Sequence, residues 1–97
     1  MLRHVVLFTW NEGVTDEQVQ LVSEGLAGLP GVIPQIKHYH HGPNVGPSDR
    51  NFDYAVVGDF ESFDDYVVYR DNNIHQQVIA ERIAPLIDKR VAVQYNL

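Results

Sequence analysis

Ninety-seven residues, 44% of them hydrophobic and 21% charged, suit one globular domain with a modest core and exclude both a disordered chain and a pair of domains. A net charge of −6, with the seven Lys and Arg residues scattered, excludes a nucleic-acid partner, and the lack of cysteine excludes disulfides and thiolate chemistry. The first apolar run is too short to span a bilayer and no small-residue cleavage site follows it, so no membrane association and a cytoplasmic location are expected.

Residues 2–10 alternate as a strand, with Leu2, His4, Val6, Phe8 and Trp10 on one face and Arg3, Val5, Leu7 and Thr9 on the other. Asn11, Glu12 and Gly13 end it. Thr15 and Gln18 have capping-box spacing, and Val19, Val22, Leu26 and Leu29 then form one apolar helical stripe. Gly28, Pro30 and Gly31 close that helix, and Pro34 prevents its continuation. Residues 35–41 are predicted as a second strand cut off by Gly42 and Pro43, followed by a Gly-, Pro- and Asn-rich surface loop over 43–51. Residues 52–60 are the third strand, with Tyr54 and Val56 opposing Ala55 and Val57.

Ser62 is a good N-cap, and Asp64 and Asp65 complement the dipole of a helix that reaches to about Arg70. Asp71, Asn72 and Asn73 break it and cap the next helix, 74–84, in which Ile74, Val78, Ile79 and Ile83 face inward and which Pro85 ends. The last strand is 90–95. The order β-α-β-β-α-α-β predicts an α+β, ferredoxin-like domain: a four-stranded antiparallel sheet with helices on one face. Both faces of the strands are apolar, so the face without helices needs a cover, and a second copy of the same sheet supplies it as a homodimer.

Three polar groups stand in apolar surroundings near one end of this layout. His75 has the residue type for removing a proton α to a carbonyl, and Tyr69 for donating to the enolate oxygen that develops. The structural alternative makes His75 a helix N-terminal residue with a local hydrogen bond and Tyr69 a core residue with a wet tip. His4 is a core histidine bonded to a neighbour, a pocket residue, or both. His38 and His40 share a strand face and could share a metal, with Asp53 or Asp59 as a carboxylate, but an edge of titrating imidazoles explains them better, so no metal site is expected. Asp64 and Asp65 are explained by capping, and no P-loop, dinucleotide fingerprint or nucleophile elbow is present, which leaves no expected cofactor.

Arg3-His4-Val5-Val6-Leu7-Phe8, Ile33-Pro34, Gly42, Phe60-Glu61-Ser62, and Tyr69 and His75 at their distance from that junction resemble the stress-responsive α/β-barrel (Dabb) family over nearly the whole chain. The resemblance implies a ferredoxin-like fold and a homodimer whose two sheets make a barrel. In plant polyketide cyclases of the family, a tyrosine and a histidine at the helix junction carry an aldol cyclisation, and Tyr69 and His75 fall on those positions. His4 matches a first-strand histidine of the same pocket, and Tyr54 replaces another histidine. Where the family often has His-Pro-x-His, this chain has Asn72-Asn73-Ile74-His75, and its first helix lacks the cyclase's aromatic residues.

The expectation is therefore a homodimer with a small-molecule pocket between sheet and helices, lined by His4, Val6, Phe8, Tyr54, Val56, Tyr69 and His75. Cofactor-free acid–base chemistry on a small carbonyl or polyketide-like substrate would use His75 as base and Tyr69 as oxygen stabiliser. The alternative is a non-enzymatic, stress-related dimer with a filled interior.

Overall fold

The alternation of the first strand sorts the whole domain into layers. In the computed structural model, which describes Met1–Leu97, strand β1 (Leu2–Trp10) buries Leu2, His4, Val6 and Phe8 and leaves the intervening residues half-buried. The remaining elements are α1 (Asp16–Ala27), a 3-10 turn (Leu29–Gly31), β2 (His38–Pro43), β3 (Tyr54–Phe60), α2 (Phe63–Asp71), α3 (Asn73–Val78) running into a π turn (Ile79–Ile83), and β4 (Ile87–Asn96). The strands form one antiparallel sheet in the order β2-β3-β1-β4, which is ferredoxin-like topology.

Register fixes which side chains share a face. Val6 pairs with Val56 and Ala92, and Phe8 with Tyr54 and Arg90, so these point to the helices. Val5 pairs with Val57 and Val93, and Leu7 with Ala55 and Val91, so these line the opposite, open face. The core lies between sheet and helices, where Val22, Leu26, Leu29, Ile33, Phe60 and Ile83 are all nearly inaccessible.

The local signals act as their chemistry requires. The Gln18 amide donates to Thr15 Oγ1 at 3.2 Å and the Thr15 amide to Gln18 Oε1 at 2.9 Å, closing both halves of the capping box. The Asp65 amide donates to Ser62 Oγ at 3.2 Å at the start of α2. The Ile74 and His75 amides both donate to Asn72 Oδ1, at 2.8 and 3.2 Å, so Asn72 ends α2 and starts α3.

Several boundaries differ from expectation. The second strand is His38–Pro43, not 35–41: after Pro34 the chain turns, the Ile36 amide donating to the Ile33 carbonyl at 3.1 Å, and Ile36 is spent on the core. Gly42 and Pro43 pair with Ala55 and Tyr54, which a proline tolerates because β2 is an edge strand. The third strand starts at Tyr54, two residues later than predicted, and the fourth starts at Ile87, three earlier. The predicted helix 74–84 is α-helical only to Val78; beyond it the Ala84 amide donates to Ile79 five residues back. Ile74, expected inward, is 46% exposed, since the Asn72 cap turns the first residues of α3 outward while His75 goes in.

Candidate functional site

Between sheet and helices lies a cavity of about 180 Å³. Its floor is the inner face of β1, β3 and β4, through His4, Val6, Phe8, Val56, Ile87 and Arg90, and its roof is built by Leu26, Tyr69, His75, Ile79, Ile83 and Ala84. The π turn widens the helix so that Ile79, Ile83 and Ala84 all reach the same wall. Six of the seven predicted lining residues are brought together here. The seventh, Tyr54, is not: its hydroxyl lies 2.8 Å from Ser23 Oγ and 3.0 Å from His41 Nδ1, which draw it toward α1 and β2 and away from the cavity.

Tyr69 and His75 stack on one another, ring centroids 4.0 Å apart at an interplanar angle of 29°. Both are buried, and they arrive from opposite sides of Asn72, Tyr69 on the last turn of α2 and His75 on the first of α3. His75 Nδ1 lies 3.1 Å from the Arg70 carbonyl, one of the carbonyls that the end of α2 leaves without a helical partner. A carbonyl only accepts, so Nδ1 carries the proton and the neutral ring keeps an unprotonated Nε2. Burial lowers the His75 imidazole below its ordinary value, outweighing the backbone bonds that raise it, so the ring is neutral near pH 7. It is thus a helix-end residue with a local hydrogen bond that also lines the cavity.

The Tyr69 hydroxyl lies 2.7 Å from that of Tyr39, on β2. With Tyr39 donating, the Tyr69 proton is left for the cavity. Burial raises Tyr69 to about 12, with the Tyr39 bond holding it down, so it stays a neutral donor. Tyr39 is raised as well, chiefly by burial. The Gln94 side-chain amide donates to His4 Nδ1 at 2.7 Å, which leaves Nε2–H as the donor that His4 offers. Burial, then the nearby Arg90 cation, brings His4 down to about 4, so it too is neutral. The cavity therefore brings an unprotonated imidazole nitrogen of His75 together with the side chains of Tyr69, His4 and Arg90 on otherwise apolar walls.

The sequence reading missed Arg90, Tyr39 and Gln94. Arg90 shares the parity of Phe8 across the β1–β4 ladder, a relation visible only once the register is known. Tyr39 lies within the predicted second strand, but its place on the cavity face follows only from register, since it pairs with Gly58, which pairs with His4.

The histidines of β2 lead elsewhere. His38 Nδ1 is 3.4 Å from Asp59 Oδ2, but Arg3 already grips that carboxylate through Nε at 2.8 Å and Nη2 at 2.9 Å. Arg3 holds Asp59 below the usual carboxylate range, and the cluster lies on the open face. No three His, Asp or Glu side chains converge as metal ligands.

Similarity to known proteins follows the same outline. A dimeric ferredoxin-like protein of unknown function from Thermobifida fusca is 42% identical, superposes with a TM-score of 0.90, and matches 99% of this chain and 90% of its own. A dimeric protein of unknown function with a ferredoxin-like fold from Bacteroides fragilis (24% identity, TM-score 0.86, 99% and 95% covered) and the hydroxynitrile lyase of Passiflora edulis (20%, 0.81, 97% and 90%) share the fold. No curated protein matches the chain. The family described as the stress responsive A/B barrel domain matches residues 2–97. This chain, with a four-stranded sheet, its split second helix and its histidine-tyrosine junction, belongs to that family.

Proposed function

We propose that the cavity binds a small carbonyl compound and that His75 and Tyr69 carry out cofactor-free proton transfer on it. In this reading His75 Nε2 takes the proton from the carbon next to the carbonyl. The electron pair moves onto the carbonyl oxygen, where the Tyr69 hydroxyl donates to it, and return of the proton to carbon restores the base. The observation that carries the reading is the His75 ring stacked on Tyr69 in an open cavity, with Nδ1 committed to the Arg70 carbonyl. A stress-related structural dimer would have no need of that space.

Size narrows the substrate. A cavity of about 150 Å³ holds one benzene ring, so about 180 Å³ suits a single ring or short chain with a polar tail, not a long linear polyketide. Exchange at the benzylic carbon of phenylacetone in deuterated buffer, followed by proton NMR, tests the chemistry. Wild type should accelerate it. His75→Ala should return it to the buffer rate, a loss on the order of 100-fold for a general base, and Tyr69→Phe should slow it less. No acceleration by wild type would defeat the reading.

The same proposal includes a homodimer closed through the open sheet face. Val5, Leu7, Val91 and Val93 form an apolar strip there, with Val93 54% exposed. Four strands of six to ten residues, about 4.8 Å apart, offer a plane of about 500 Å², which side-chain relief brings toward the roughly 800 Å² per partner of a standard interface. The relative from Thermobifida fusca, 42% identical, is described as dimeric, which supports the assignment.

A further inference from the structure

Among the twelve residues around the cavity, Arg90 alone carries a formal charge at neutral pH, and no carboxylate lines the wall to meet it. The ion pairs of the chain are Arg3–Asp59, His38–Asp59 and Arg70–Asp71, so Arg90 has no partner although acidic residues outnumber Lys and Arg by 13 to seven. Its neighbours do not replace one: Tyr69 bonds Tyr39, His4 bonds Gln94, and His75 bonds a backbone carbonyl. Arg90 is exposed to solvent and also belongs to the cavity wall, and its charge acts on His4, Tyr69 and His75, which places a cation beside them where the cavity meets solvent.

We propose that the ligand is a small oxo-carboxylate, whose carboxylate is held by the Arg90 guanidinium at the opening while its apolar body lies against Val6, Phe8 and Ile83. The substrate class extends the proton-transfer reading above and rests on it for the carbonyl, which would sit among His4, Tyr69 and His75. A planar guanidinium matches a carboxylate with two parallel N–H donors. A phosphate, with more charge and more acceptor oxygens, would meet a single cation and no cluster of backbone amides. Anchoring the carboxylate also restricts how the rest of the molecule enters, since only one end of the cavity is charged. The overall charge of −6 repels anions at long range, so the preference must come from this one local contact and should weaken with salt.

Phenylacetate and its neutral isostere phenylacetamide test this, titrated into wild type by ligand-observed NMR near neutral pH and low salt. Neither ligand needs turnover, which keeps the result separate from the phenylacetone exchange. Wild type should bind phenylacetate about tenfold more tightly than the amide, equal to about 1.4 kcal/mol. Arg90→Met should erase the preference by weakening phenylacetate to the level of the amide, and retained binding of the amide shows that the cavity is intact. Arg90→Lys should restore part of it. Lys89→Met, which removes the same charge from the adjacent residue, should leave the preference in place. Equal binding of the two ligands by wild type, a preference that survives Arg90→Met, an equal loss in Lys89→Met, or no binding of phenylacetate would each overturn the proposal. If the carboxylate preference fails while phenylacetone exchange persists, the site acts on neutral carbonyls. If the preference holds without exchange, the cavity binds acids and does not turn them over.

Discussion

His4 and His75 are both buried and both neutral, and the cause, loss of water around the charged ring, has a consequence for stability. His4 is lowered from 6.5 to about 4. Between those values the unfolded chain takes up a proton that the folded chain does not, so stability present above pH 6.5 is lost as pH falls toward 4. At about 1.4 kcal/mol per pH unit of separation the contribution is roughly 3 kcal/mol. His75, lowered in the same direction, adds to it. Urea denaturation should show a midpoint that falls steeply across this window. In His4→Leu the slope should be shallower; an unchanged slope would mean that His4 does not titrate as its burial requires. The same direction of shift puts the acid limb of any His75-dependent proton transfer below pH 6.5. The types of Tyr69, His75 and His4 were legible as chemistry in the sequence. Their partners were not, because Tyr39, Gln94 and the Arg70 carbonyl are brought to them by pairing and helix ends.

The decisive element is the break between α2 and α3. Asn72 stops one helix and caps the next, which lets Tyr69 and His75 face each other across a joint; in one continuous helix their six-residue separation would carry them to different sides. Asn72→Ala removes an acceptor shared by two amides and should cost about 1 kcal/mol in chemical denaturation. Because the cap also sets where α3 begins, phenylacetone exchange should fall further than that stability loss alone accounts for. Exchange equal to wild type would show that the cap does not position His75. The elements themselves were legible: each capping signal, at Thr15, Ser62 and Asn72, begins a helix as read. The ends were less so. Pro43 reads as a terminator by its missing N–H, yet an edge strand leaves that group unneeded, and the π turn over Ile79–Ile83 has no local signal because packing against the cavity and α1 selects it.

Across the whole molecule, one sheet face holds the cavity and the other is left apolar. Sedimentation should give a particle near twice 11.0 kDa, and Val93→Asp, on the edge strand β4 where a charge leaves the fold intact, should return it to one chain. A wild type that sediments as a monomer would remove the homodimer. The alternation of apolar residues along Leu2–Trp10 and Tyr54–Phe60, together with the caps and breakers, determined by sequence alone that a four-stranded sheet packs helices on one side and needs a cover on the other. These signals are local, because period and capping act within a few residues of one another. Which residues line the cavity was a matter for tertiary structure. Tyr54 left the predicted set because Ser23 and His41 hold its hydroxyl, and Arg90 joined it because antiparallel register sets it opposite Phe8. Neighbours 82 residues apart in sequence carry no mark of each other until the strands pair.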